Sequence, residues 1–142
     1  MGKISISTYF QWHEALYLPH WNREANESDG LDNTIRMNLS ILFEDMDMLR
    51  EFFNKPILVH VAYRPDKYNK EIGGAPKSQH VQGLACDFEV KGLDCDVARK
   101  MINDADLLEL HGLRMEDKPG SGWIHIDVMP TLAPGKHRYF VP

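Results

Sequence analysis

Two short segments carry residues whose types and spacing could do metal chemistry. The first, Ser78-Gln79-His80-Val81-Gln82-Gly83-Leu84-Ala85-Cys86-Asp87, offers an imidazole and a carboxylate with a glycine and an alanine between them. The second, Trp123-Ile124-His125-Ile126-Asp127, alternates polar and apolar residues. Together His80, Asp87 and His125 form a His/Asp/His set, the three-ligand, one-open-position pattern of a catalytic zinc site. Side chains at i and i+2 of a strand share a face, so Trp123, His125 and Asp127 point one way and Ile124, Ile126 and Val128 point towards the core. Asp127 then fits as the acceptor that fixes the tautomer of a ligand histidine, and Ser78 stands with it behind the ligands. Gly83 permits a backbone conformation closed to other residues, and Ala85 leaves room beside a metal.

A hydrolytic zinc site also needs a general base for its water. Glu116 and Asp117 precede the His125 strand in a segment with Pro119, Gly120 and Gly122 that can loop back over the metal, and Glu116 is the first choice. Arg64 ends an apolar strand that should run beside the site, where a guanidinium could bind a substrate carboxylate or stabilise an oxyanion. Each residue also has an ordinary reading: Glu116 as a solvated turn carboxylate, Arg64 as half of a surface salt bridge. His13, His20, His60, His111 and His137 belong to no patterned cluster and read as solvated or hydrogen-bonded residues, with His60 a core histidine in mid-strand.

The elements that must position these groups can be traced along the chain. Residues 1–33 are aromatic and polar and read as an N-terminal extension, with a charged loop from Asn22 to Asn33. Asn33 or Thr34 should cap the helix that follows, where Ile35, Leu39, Leu42, Met46, Leu49 and Phe53 make one apolar stripe. Asn54-Lys55-Pro56 ends it. Ile57 to Tyr63 reads as a buried strand, followed by a polar loop to Lys77. A second strand starts near Ala85 and runs through Phe88 and Val90. Asp94 or Asp96 caps a helix carrying Val97, Met101 and Ile102. Leu107 to Leu113 leads to a bend, and Gly122 to Val128 is a third strand. The tail, Pro130 to Pro142, should pack along the surface, leaving a core motif region of about 57–129. Helices in runs beside strands joined by irregular loops predict an α+β fold with a mainly antiparallel sheet flanked by helices.

The 142 residues read as one domain, 1–142. A hydrophobic fraction of 43% supports a core, and a formal charge of -5 argues against a nucleic-acid binder. No apolar run is long enough to span a membrane. The start, Met1-Gly2-Lys3-Ile4-Ser5, lacks the apolar core of a signal peptide, so synthesis in the cytoplasm is expected. Cys86 and Cys95 lack CxxC spacing and read as reduced thiols, Cys86 as a small buried hydrophobe.

Beyond these features, Tyr63-Arg64-Pro65, Tyr68-Asn69, Gly73-Gly74-Ala75, Ser78-Gln79-His80, Gly83-Leu84-Ala85, Asp87 and Trp123-Ile124-His125-Ile126-Asp127 resemble the zinc D-Ala-D-Ala carboxypeptidase family, which shares its fold with the hedgehog signalling domain. The resemblance covers roughly Ile57 to Met129. It implies that His80, Asp87 and His125 bind Zn²⁺, that Arg64 contacts substrate and that Glu116 is the catalytic glutamate. The chain departs from the family in three places: a longer gap between Glu116 and His125, Trp123 where some branches have a histidine, and Val61-Ala62 where Ser-Gly is usual. The implied activity is hydrolysis of a bond in peptidoglycan stem peptides, most like a D-Ala-D-Ala carboxypeptidase. The alternatives are an endopeptidase of the L-Ala-D-Glu type, as in endolysins, and a catalytically inactive zinc-stabilised binding or virion module. A cell-wall substrate and the missing leader would suit a phage or bacterial enzyme that acts on the wall after phage-mediated release, or as a virion component.

Overall fold

The computed structural model describes residues 4–128 and 139–140. Its centre is a 5-stranded sheet of order β3-β4-β6-β5-β7, made of β3 (Ile57–Val61), β4 (Ala85–Val90), β5 (Leu113–Glu116), β6 (Ile124–Val128) and β7 (Tyr139–Phe140). Every pairing is antiparallel except β5 with β7. With helices packed against the sheet, the fold is α+β, as its pattern of strands and helical runs predicts.

Alternation along the strands separates two faces. Cys86, Phe88, Leu113, Met115, Ile124 and Ile126 join the hydrophobic core, covered by α2 (Asn33–Phe53) through Leu39, Leu42, Phe43, Met46, Leu49 and Phe53. Val128 is only partly buried against that core. The residues between them in sequence face the other way: Asp87 lies opposite His125, and Asp127 lies between Ala85 and Arg114 in register. One face is therefore packing and the other chemistry.

The cap of the long helix lies one residue before the candidate caps. Asp32, not Asn33 or Thr34, accepts from the Ile35 amide at 2.9 Å, and Asn54 closes the helix in the left-handed conformation. Asp94 caps α4 (Cys95–Asp104), accepting from the Asp96 and Val97 amides. That helix buries Ala98, Arg99 and Ile102, leaving Val97 and Met101 exposed.

Several expectations need correction. The strand read over 57–63 ends at Val61, and as an edge strand it exposes Leu58 and His60. His60 is accordingly no core histidine; its Nε2 lies 3.4 Å from Glu89. The loop after Arg64 contains α3 (Asp66–Glu71), whose buried Tyr68 and Asn69 anchor it. Leu107 to Leu113 is no mere approach to a bend: it holds α5 (Leu107–His111) and the first residue of β5. The extension before residue 33 is woven into the core, with α1 (Trp12–Leu16), the hairpin β1 (Tyr17–Leu18) and β2 (Arg23–Glu24), and buried Phe10, Ala15, Leu16, Leu18, Ala25 and Leu31. Of the tail, Tyr139–Phe140 pairs with β5 as the edge strand of the sheet; Pro130, His137 and the other tail residues lie outside the described residues.

Candidate metal centre

His80 is placed by a turn and a carbonyl. The 3-10 turn Gln79–Gln82 starts at Ser78, whose Oγ accepts from the His80 amide at 3.2 Å. The turn ends at Gly83 with φ +72°, and a Cβ there would press on Ile35 of α2 at 3.1 Å; glycine is needed for conformation and for close approach. The His80 ring is buried, with Nδ1 2.6 Å from the Ala62 carbonyl oxygen. A carbonyl only accepts, so Nδ1 carries the hydrogen and Nε2 presents its lone pair.

His125 is placed by carboxylates instead. Its Nε2 lies 2.9 Å from Asp127 Oδ2, and its Nδ1 lies 2.8 Å from Asp87 Oδ1. The same Asp87 oxygen is 3.1 Å from His80 Nε2. With Nε2–H directed at Asp127, a neutral His125 turns its Nδ1 lone pair towards Asp87. Three lone pairs, from His80 Nε2, Asp87 Oδ1 and His125 Nδ1, then converge, the Asp87 oxygen standing between the two nitrogens, and one donor atom from each residue lies within 4.8 Å of the others. Such a cluster requires a cation among them, a proton or a metal ion. Tetrahedral zinc with bonds of about 2.0 Å separates its ligand atoms by roughly 3.3 Å, so the donor set fits zinc in chemistry and spacing.

The electrostatics of the protein alone agree. At His80 burial pushes the pKa down, against the pull of Asp87. At His125 burial acts in the same direction, but the hydrogen bonds to Asp127 and Asp87 outweigh it and raise the pKa to about 9. Burial disfavours charge on Asp87 too, yet the two imidazoles hold its pKa below the usual carboxylate range.

Arg64 adjoins the cluster at the cavity wall. Its backbone N–H donates to the His80 carbonyl at 3.0 Å, and its guanidinium donates to Asp87 Oδ2 at 3.2 Å and to Asn69 Oδ1 at 3.4 Å. Asn69 in turn donates to the Ala75 carbonyl. A Cβ on Gly74 would lie 2.0 Å from Asn69 Oδ1, so only glycine fits. Asp127 receives two bonds from Arg114, Nε to Oδ1 at 2.7 Å and Nη2 to Oδ2 at 3.0 Å.

These groups line a cavity of about 730 Å³. Arg64, Ser78, His80, Asp87, His125 and Asp127 all border it, and so does Glu116. Strand alternation accounts for Glu116: Met115 is buried in the core, so Arg114 and Glu116 face the cavity. Asp117 is not among the lining residues. Trp123 and Lys118 border the cavity on the same side, with the Lys118 ammonium 5.3 Å from the Trp123 ring.

Arg64, Ser78, His80, Asp87, Glu116, His125 and Asp127 thus border one cavity, and of the two candidate bases only Asp117 stands outside it. Arg114, Asn69 and the Ala62 carbonyl were not singled out for the site. Arg114 had a legible signal: in Leu113-Arg114-Met115-Glu116 it shares the Glu116 face. The Ala62 carbonyl had none, since any residue supplies one.

The model of the family described as Peptidase M15 matches residues 19–127. No curated protein matches the chain. That match spans both ligand segments and α2, which backs them, and on it the chain belongs to the peptidase M15 family, the zinc D-Ala-D-Ala carboxypeptidase-like metallopeptidases.

Proposed function

We propose that the protein is a zinc metallopeptidase that hydrolyses a peptide bond in peptidoglycan stem peptides, with D-Ala-D-Ala carboxypeptidase-like action. The observation that carries this reading is the convergence of three lone pairs from His80, Asp87 and His125 at the floor of a cavity that Glu116 also lines. His80 Nε2, Asp87 Oδ1 and His125 Nδ1 would hold the ion. Zinc in such a site supplies Lewis acidity, making water a usable nucleophile near neutral pH and polarising the scissile carbonyl.

The chain's own residues do the rest. Glu116 takes the proton of the attacking water and passes it to the leaving amine. Arg64, fixed by Asp87 and Asn69 at the cavity wall, adds positive charge where the oxyanion develops. Lys77 and Lys118 border the same cavity and favour a substrate with carboxylates, such as a stem peptide and its C-terminus. A glutamate lining the same cavity as the ligands favours catalysis over a purely zinc-stabilised binding module. The wall as the place of action follows from the substrate; among the described residues no helix is long and apolar enough to cross a membrane.

The test is incubation of the purified protein with muropeptides, with and without a chelator, read by mass spectrometry. The expected result is chelator-sensitive loss of a terminal D-Ala. Cleavage inside the stem would establish an endopeptidase instead, and intact muropeptides with zinc bound would establish the binding module.

A further inference from the structure

We infer that Arg114 is a positioning residue for the metal centre: its guanidinium fork locks Asp127 so that His125 presents Nδ1, and not Nε2, to the ion. The inference rests on the metal-site reading above and goes beyond it, since Arg114 touches neither a ligand atom nor the centre of the cluster.

The chain of contacts is continuous. Arg114 engages both oxygens of Asp127, at 2.7 and 3.0 Å, the planar two-point pairing that arginine alone among side chains can make. Asp127 is almost fully buried, so its carboxylate has few ways to be satisfied other than by Arg114 and His125. Its Oδ2 receives the His125 Nε2 hydrogen at 2.9 Å. An imidazole can flip about its Cβ–Cγ bond and offer either nitrogen, and a fixed acceptor on one side removes that freedom. The sheet supplies the alignment: Arg114 and Asp127 are directly paired between β5 and β6.

A further contact packs this relay from above. The Arg114 guanidinium lies over the Phe140 ring, 4.3 Å from its centroid, and the His125 ring meets the same phenyl edge-on at 6.0 Å. The Asp117 amide donates to the Phe140 carbonyl at 2.5 Å, fastening β7 beside Glu116. Phe140 therefore covers one face of the Arg114 guanidinium, which stays partly open to the cavity, while the Asp127 end of the pair is almost fully buried. The counterpart on the other ligand is simpler: His80 is held by the Ala62 carbonyl and needs no arginine.

The test measures metal affinity rather than turnover. Zinc dissociation constants are obtained by competition with a chromophoric chelator for the wild type, Arg114→Gln, Arg114→Lys, Asp127→Asn and the double variant Arg114→Gln/Asp127→Asn, with Arg36→Gln as a remote control. The visible spectrum of the cobalt-substituted proteins reports ligand geometry. Arg114→Gln should weaken zinc about 10–100-fold and alter the cobalt spectrum, the range typical of partners behind a ligand histidine. Arg114→Lys should fall between it and the wild type, and the double variant should be no weaker than Asp127→Asn alone, because both act through one carboxylate. Affinities within twofold of the wild type for Arg114→Gln would overturn the inference; if that variant does not fold, the same result for Arg114→Lys overturns it. Additive losses in the double variant would also overturn it, by showing that Arg114 does not act through Asp127. A wild type that binds no zinc would instead sink the metal-site reading on which the inference stands.

Discussion

The two halves of the candidate metal site are built differently. The His80 half is local and backbone-made: a hydroxyl-capped 3-10 turn, a left-handed glycine and a main-chain carbonyl fix the ring. The His125 half is assembled by side chains from neighbouring strands, with Asp127 and Arg114 behind the ring and Phe140 over both. Their charge behaviour diverges accordingly. A neutral carbonyl leaves burial dominant at His80 and lowers its pKa, whereas two carboxylates overcome burial at His125 and raise it to about 9. A ligand held by backbone is insensitive to most substitutions around it; a ligand held by a carboxylate can be tuned from a distance.

Removing a ligand from either half should erase the contrast and give the largest effect. His80→Ala and His125→Ala should each lose zinc well beyond the ~10–100-fold expected for a partner behind a ligand, with hydrolysis lost alongside. Metal content by mass spectrometry and muropeptide turnover check this, and retained stoichiometric zinc in either variant would contradict the assigned ligand set.

The next effect separates holding the metal from using it. Glu116→Gln keeps the shape of the cavity wall but removes the base, so kcat should fall by roughly 10²–10⁴ while zinc stays bound. An active Glu116→Gln enzyme would move the base elsewhere.

The contrast in charge is tested with the metal-free protein. The His125 pKa is raised on folding, so the stability it contributes is present in full below its ordinary value near 6.5 and is lost as pH rises towards about 9. Denaturant unfolding of the apoprotein should show this decline, whereas His125→Gln should be flat across that window. Zinc affinity should rise over the same range, because binding must displace the imidazolium proton. His80 contributes nothing of this sign, since its pKa is lowered.

The smallest effect comes from a carboxylate–histidine pair without an arginine. Asp45 on α2 lies 3.9 Å from His111, and burial raises its pKa to about 6, against a weaker opposing pull from His111. The ionised carboxylate is therefore a liability in the folded state: this group favours folding most below pH 4, and the advantage is lost as pH rises to 6. Asp45→Asn should stabilise the protein by about 1–2 kcal/mol at pH 7 and leave it nearly unchanged at pH 4. Equal unfolding midpoints for the two proteins at pH 7 would show that water relieves Asp45 in place. Asp127, bracketed by Arg114 as well as His125, shows the opposite shift, downward against its burial.

Much of the site was legible because the motif residues lie in elements with strict periods. In β6, period-2 alternation places His125 and Asp127 opposite Ile124 and Ile126 whatever the surroundings. In Ser78 to Asp87, the capping hydroxyl and the left-handed glycine encode their own turn. The same logic reached α2 through its apolar stripe. It failed at Asp66–Glu71, where four charged residues in a six-residue helix mask the two buried positions, Tyr68 and Asn69. It failed at His60 because an edge strand and a central strand share the same apolar composition, and only pairing partners distinguish them.

By itself, then, the amino-acid sequence determined the types of the candidate ligands, the turn that carries His80, the face that carries His125, and the α+β class, because capping and strand alternation are local properties. Only the tertiary structure decided which nitrogen each histidine turns towards Asp87, that Arg114 stands behind Asp127, and that Phe140 from the far end of the chain closes over both. Those are contacts between elements distant in sequence, and their geometry is set by strand order and register, which no local pattern encodes.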